Sequence, residues 1–246
     1  MMVATTTATR LAVKVRSLHK AYRRGGVSAP VLCGIDLAIP RGECVYLAGP
    51  SGSGKTTLLS ILGCILTPDR GEVELFGQAL SQLDDRGRIE LRRHRIGFVL
   101  QRFHLLRGLT ALENVCVPLL LRGQSHRQAS HRAAELLAAV GLAEHAHALP
   151  HRLSTGQCQR VAIARALVGD PDLILADEPT ASLDAASGRQ VMELLRRLTT
   201  AQGRTAIVVT HDQRIFPYAD RVYWLDNGRI APGPALATAP TPRPQG

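Results

Sequence analysis

Gly49-Pro-Ser-Gly-Ser-Gly-Lys55-Thr56 is the stretch on which the reading of this chain turns. It fits the pattern G-x-x-x-x-G-K-[S/T], in which glycines let the backbone curl until its N–H groups and a helix N-terminus face phosphate oxygens. The flanks supply the context this needs. Cys44 to Ala48 is a short apolar run that reads as a buried strand, and Lys55 to Leu66 reads as a helix stopped near Pro68. In a strand, loop and helix of this kind Lys55 reaches the β- and γ-phosphates of a nucleotide, and the Thr56 hydroxyl ligates Mg²⁺. The loop residues Gly49, Pro50, Ser51, Gly52, Ser53 and Gly54, with Lys55, Thr56 and Thr57, form the candidate nucleotide-binding set.

Working outward, Leu11 to Arg16 and Val31 to Ile39 alternate apolar and polar residues, which predicts an antiparallel edge joined by a glycine-containing turn over Arg23 to Ala29. Downstream, strand patterns fall around Glu72 to Phe76, at Ile96 to Leu100 and at Leu173 to Ala176. From His104 to Pro150 the pattern is helical, with Leu136, Leu137 and Val140 on one face and Gly141 as a stop. A helix is expected from about Thr155 to Val168, and Val191, Leu194, Leu195 and Leu198 mark an amphipathic helix leading to the strand Thr205 to Val209. Strands alternating with helices predict an α/β fold with a mainly parallel sheet core.

Composition sets the outer limits. At 246 residues and 45% apolar, the chain can bury one α/β domain with a smaller subdomain. The expected organisation is a flexible leader over 1–10, a folded domain over 11–230 with a helical subdomain inserted at about 102–153, and a disordered tail over 231–246, rich in proline from Pro232 onward. Cys33, Cys44, Cys64, Cys116 and Cys158 form no Cys-x-x-Cys pair and read as reduced thiols. No run approaches the roughly eighteen apolar residues of a membrane span, so a cytoplasmic location is expected. The net charge of +10 is spread along the chain and densest in Arg86 to Arg95; no nucleic-acid reader motif accompanies it, and no nucleic acid is expected as a partner. His126, His131, His145, His147 and His151 lack a supporting carboxylate or cysteine pattern and read as surface polar residues.

A second chemical element is Leu173-Ile-Leu-Ala-Asp177-Glu178-Pro179. An apolar strand ending in two carboxylates delivers them to the carboxyl edge of the sheet, where open α/β proteins bind ligands. Asp177 is placed to hold Mg²⁺, and Glu178 to act as general base on the attacking water. The third element is Leu153-Ser154-Thr155-Gly156-Gln157, followed by Arg160-Val-Ala-Ile-Ala-Arg165-Ala166. Taken alone, Ser154 is an N-cap; together with the helix it opens, it is also a second anion cradle.

With these residues in view the chain resembles the nucleotide-binding subunits of ABC transporters over roughly Leu11 to Ile230. Their signature is usually Leu-Ser-Gly-Gly-Gln; Ser154, Gly156 and Gln157 match it and Thr155 departs from it. The resemblance implies an ATPase of P-loop NTPase fold that binds ATP and Mg²⁺. It also gives Tyr22 as the adenine-stacking aromatic, Gln101 as a residue that senses Mg²⁺ and water, Asp184 in Ser182-Leu183-Asp184 as a contact to the opposite subunit, and His211 as the histidine at the γ-phosphate. Two copies would sandwich ATP between phosphate loop and signature, as a homodimer.

The stretches Phe103 to Val115, Asp177 to Asp184 and Thr210 to Arg221 look most like the subgroup of LolD lipoprotein-release, MacB macrolide-efflux and DevA glycolipid-export ATPases. That likeness implies an ATPase peripheral on the inner face of the cell membrane, permease subunits as partners, and in some systems a periplasmic adaptor. A permease helix is expected to dock around Gln101 to Leu121, with Phe103, Leu105 and Leu106 as apolar contacts. The alternatives are the ATPase of a solute importer and a soluble ABC ATPase. The second fits poorly, since a single phosphate loop is present and no heptad array precedes Ser154.

Overall fold

The computed structural model describes residues 10–24, 27–200 and 203–231. The expected leader apart from Arg10, the expected tail apart from Ala231, and Gly25 and Gly26 of the expected turn lie outside the described residues.

A six-stranded sheet runs in the order β10-β9-β3-β8-β7-β6, made of β3 (Cys44–Ala48), β6 (Ile96–Val99), β7 (Leu173–Asp177), β8 (Thr205–Thr210), β9 (Arg221–Asp226) and β10 (Arg229–Ala231). All its pairings are parallel except that of β9 with β10. Strands β3 and β8 are buried at every position, as expected of parallel strands covered on both faces. A four-stranded antiparallel sheet, β2-β1-β4-β5, packs beside it, built from β1 (Leu11–Arg24), β2 (Val27–Pro40), β4 (Arg70–Leu75) and β5 (Gln78–Ala79). Between the sheets, Val13, Val15, Leu18 and Ile35 meet Leu47, Leu175, Ile207 and Leu58 of α1 (Lys55–Leu62) in one core.

On the other face of the large sheet, Tyr46, Ile174 and Val208 pack against α5 (Thr155–Leu167) and α6 (Ala185–Thr200) through Ile163, Leu167, Val191 and Leu195. A third cluster joins α3 (Ala111–Leu120) and α4 (His126–Ala139) to α5 through Val115, Leu119, Ala133, Leu137 and Val161. All five cysteines are free, and burial pushes the Cys44 thiol up to about 12. Among the described residues no helix is long and apolar enough to cross a membrane.

Several boundaries differ from the expectations. Strands β1 and β2 extend well beyond Arg16 and before Val31, because register shifts near Ser17, at φ 44°, break the two-residue alternation while the pairing continues. Helix α1 stops at Leu62, not Leu66: the Gly63 amide bonds the Leu59 carbonyl, and Cys64 turns out of the helix at φ 56° before Pro68 is reached. The arginine-dense run is itself a helix, α2 (Asp85–Arg95), whose first turn is capped by Asp84 accepting from the Gly87 amide. Ala231, assigned to the tail by its proline-rich neighbours, pairs with Trp224 as the last residue of β10.

Candidate nucleotide site

Because β3, β6, β7 and β8 run parallel, their carboxyl ends reach the same edge of the sheet and bring distant residues together. The loop after β3 is held by backbone approach that tolerates no side chain. A Cβ on Gly49, at φ 145°, would lie 2.0 Å from the Leu225 carbonyl oxygen, and one on Gly54, at φ 104°, would lie 2.8 Å from that of Val31. Lys55 opens α1 directly behind the loop and is buried; its Nζ donates to the carbonyls of Gly49 at 2.9 Å and Pro50 at 2.7 Å. Burial lowers its pKa, opposed by the charges of Glu178 and Asp177.

The Thr56 hydroxyl donates to Asp177 at the end of β7, 3.2 Å from Oδ2. Burial raises the Asp177 pKa against the lowering effect of that bond. Glu178 follows at φ 48°, a conformation uncommon outside glycine, its amide tied to the Val209 carbonyl at 2.9 Å. Its Oε1 lies 2.7 Å from Nδ1 of His211, just past β8, while its Oε2 is buried with no hydrogen-bond partner. Gln101 enters from the end of β6. Tyr22 of β1, 41% exposed, stands at the rim with its hydroxyl 3.4 Å from Thr57 Oγ1. Lys55, Thr56, Asp177, Glu178, His211, Gln101, Tyr22 and Thr57 line one cleft of about 590 Å³ with Ser51, Gly52, Gly54 and the wall residues Val31 and Val209; Gly49, Pro50 and Ser53 lie behind its lining.

Val31 and Val209 were not singled out in the sequence. Their only signal there was membership of strands, since a wall is defined by what folds against it. Ser154, Thr155, Gly156, Gln157 and Asp184 are not in this cleft. They line a second one, of about 500 Å³, with Gly141, Arg160 and Ser187. Ser154 caps α5 in a reciprocal box: its Oγ accepts from the Gln157 amide at 3.2 Å, and Gln157 Oε1 accepts from the Ser154 amide at 2.8 Å. Asp184 caps α6, accepting from the amides of Ala186 and Ser187.

A third cleft, of about 400 Å³, lies between α2, β6, α3 and α5. Its apolar lining includes Ile89, Phe98, Leu100, Pro118 and Leu121. Phe103, Leu105 and Leu106, expected to offer the apolar contacts, do not line it: Leu105 packs against the α3–α4 cluster, and the carbonyl of Phe103 is drawn to Arg165. In the cleft the exposed apolar side chains are Leu121 and Ile89, at 66% and 41%; Leu106, outside it, is exposed at 49%. Among the described residues no group of three or more His, Cys, Asp or Glu is arranged to hold a metal; His131 instead faces Glu135 at 3.4 Å and His145 meets Gln157.

The model of the ABC transporter family matches residues 32–181. The ATP-binding protein LolD of the lipoprotein-releasing system of Chromohalobacter salexigens is 44% identical over 219 residues, covering 89% of this chain and 92% of that one. The macrolide export ATP-binding/permease protein MacB of Pectobacterium atrosepticum is 44% identical over 234 residues; the match covers 94% of this chain but only 36% of the length of MacB. Among solved structures, the dimeric ATP-binding cassette MJ0796 bound to ADP and Pi superposes with a TM-score of 0.82 at 42% identity, over 89% of this chain and 96% of that one. The chain therefore belongs to the ABC transporter family, as an ATP-binding chain of the group that includes LolD and MacB.

Proposed function

We propose that the chain binds ATP with Mg²⁺ in the 590 Å³ cleft, hydrolyses it to ADP and phosphate, and works as a pair of copies driving a separate export or lipoprotein-release permease from the cytoplasmic face of the membrane. The observation that carries this reading is the convergence of Lys55, Thr56, Gln101, Asp177, Glu178 and His211 on one cleft from four strand ends.

The residues present fit the nucleotide and its metal. The backbone around Gly49 and Gly54 leaves room only for glycine, as a close cradle for phosphate requires. Lys55 carries a buried ammonium held by two carbonyls and, at 3.4 Å, the Ser53 hydroxyl, neutral partners that phosphate oxygens can replace at a gain. Thr56 and Asp177 already touch, offering a hydroxyl and a carboxylate to one cation, and Gln101 adds an amide oxygen. Bound Mg²⁺ supplies neutralisation of charge on the outer phosphates. Glu178 is the carboxylate positioned to take the proton of the attacking water, and His211, held to its Oε1, fixes the direction in which that carboxylate faces. Tyr22 offers a ring at the rim for the base to stack on, beside Thr57.

Lys55→Ala is expected to weaken binding of a fluorescent ATP analogue by about 10- to 100-fold, the loss of one or two charge-assisted hydrogen bonds. Undiminished affinity would count against the cleft as the nucleotide site.

Ser154 to Gln157 and Asp184 lie outside that cleft, so a site that uses them needs a second copy, related by a two-fold axis. The dimeric form of the similar cassette supports this arrangement.

The permease is read as docking in the cleft bounded by α2 and α3. Exposed Leu121 and Ile89 flank Arg92 and Arg93 there, a lining suited to a short amphipathic helix. Replacing Leu121 and Ile89 together by Asp is expected to leave basal hydrolysis within about twofold and to abolish its stimulation by permease in proteoliposomes. Full stimulation of the double variant would move the docking site elsewhere.

A further inference from the structure

The capping box at the head of α5 has a third member that is not part of the signature. Gln157 Oε1 is committed to the Ser154 amide, at 2.8 Å. That contact fixes which end of the carboxamide is which: turned over, its NH₂ would face an N–H. The amide Nε2 therefore points away from the cap, and it lies 3.1 Å from Nε2 of His145. An NH₂ group can only donate, so His145 Nε2 must accept, and the proton of the neutral ring sits on Nδ1.

His145 is firmly placed to do this. It ends a short 3₁₀ turn, Ala143–His145, its amide donating to the Leu142 carbonyl and its carbonyl accepting from Ala148. The next residues bind the start of α3: Leu112 donates to the Ala146 carbonyl and Ala111 to that of Ala148. The ring thus connects the base of the α3–α4 unit to the residue that braces Ser154.

We propose that His145 is a positioning residue of the signature half-site: as a neutral ring with Nε2 unprotonated, it accepts from Gln157 and fixes the carboxamide that holds Ser154 in place for the nucleotide carried by the second copy. The inference rests on the reading of Ser154 to Gln157 as a half-site completed across a dimer. Its contribution belongs to the closed pair, not to nucleotide capture by one chain. It is shared by ground and transition states of that pair, so its loss raises KM and spares kcat.

The test uses the full chain with two substitutions. His145→Leu removes the acceptor at similar volume; His145→Gln returns an acceptor oxygen at comparable reach. His145→Leu is expected to raise half-saturating ATP by about fivefold, the worth of one neutral hydrogen bond. Its kcat should stay within about twofold of the parent, and so should its affinity for a fluorescent ATP analogue at monomeric dilution. His145→Gln should restore KM to within about twofold. If the parent shows no ATP-dependent dimer, the shared-site reading falls. If it does, and His145→Leu matches it or His145→Gln is as impaired as His145→Leu, the inference alone falls. Ring ¹⁵N shifts of the parent give a measurement independent of any variant's folding: a ring protonated on Nδ1 supports the proposal, and one protonated on Nε2 overturns it.

Discussion

Glu178→Gln is expected to lower ATP turnover by about 10² or more while leaving ATP affinity within about twofold of the parent. The substitution keeps the size of the side chain and an oxygen facing His211, so the 2.7 Å contact and the backbone of the β7 end have no reason to change. What is lost is the basicity of the carboxylate. An amide there cannot accept the proton of the attacking water. The binding groups, Lys55 and the loop at Gly49 to Gly54, are untouched. The contrast with Lys55→Ala separates the two roles: one variant should bind and fail to turn over, the other should bind more weakly. Isothermal titration with ATP and a phosphate-release assay on the same samples give both numbers. Turnover at the parent rate in Glu178→Gln would remove that carboxylate from the chemistry.

The parts of this molecule that were legible in the sequence are those whose meaning is local. Gly49 to Thr56 specifies its own geometry, because loop, lysine and helix start are consecutive, and the strand before it is apolar throughout. The apolar run Leu173 to Ala176 likewise reads directly as a buried strand. Helix α2 was not legible as a helix: Ile89 and Leu91 are its only large apolar residues, too few to set a period, and its start depends on the Asp84 cap. The lengths of β1 and β2 were hidden by bulges that shift the alternation from one face to the other.

In the site, the sequence supplied the residues and the register supplied the contacts. Glu178 and His211 are 33 residues apart, and they meet because β7 and β8 pair with Asp177 opposite Val209. The cleft between α2 and α3 was less legible. Leu106, which carried part of the apolar signal, is 49% exposed but lies outside that cleft, whereas Ile89 and Leu121, far apart in sequence, are brought to its rim by tertiary packing.

The central claim is that one chain is half of two sites, and it is tested by mixing chains with complementary lesions. Lys55→Ala removes the phosphate-loop half, and Ser154→Arg removes the cap and places a bulky side chain at the exposed head of α5. Each homodimer then has two defective sites. A mixed dimer has one site with both lesions and one with neither, and random exchange makes about half the dimers mixed. About a quarter of all sites are therefore intact. Turnover is a poor readout if the two sites fire only as a pair, so Glu178→Gln is added to both chains to preserve bound ATP, and the ATP retained per chain after rapid gel filtration is measured. Taking the Glu178→Gln homodimer as unity, the account predicts almost no retention for either doubly substituted chain alone and about one quarter for the mixture; no retention in the mixture, with mixed dimers verified by native mass, would contradict it.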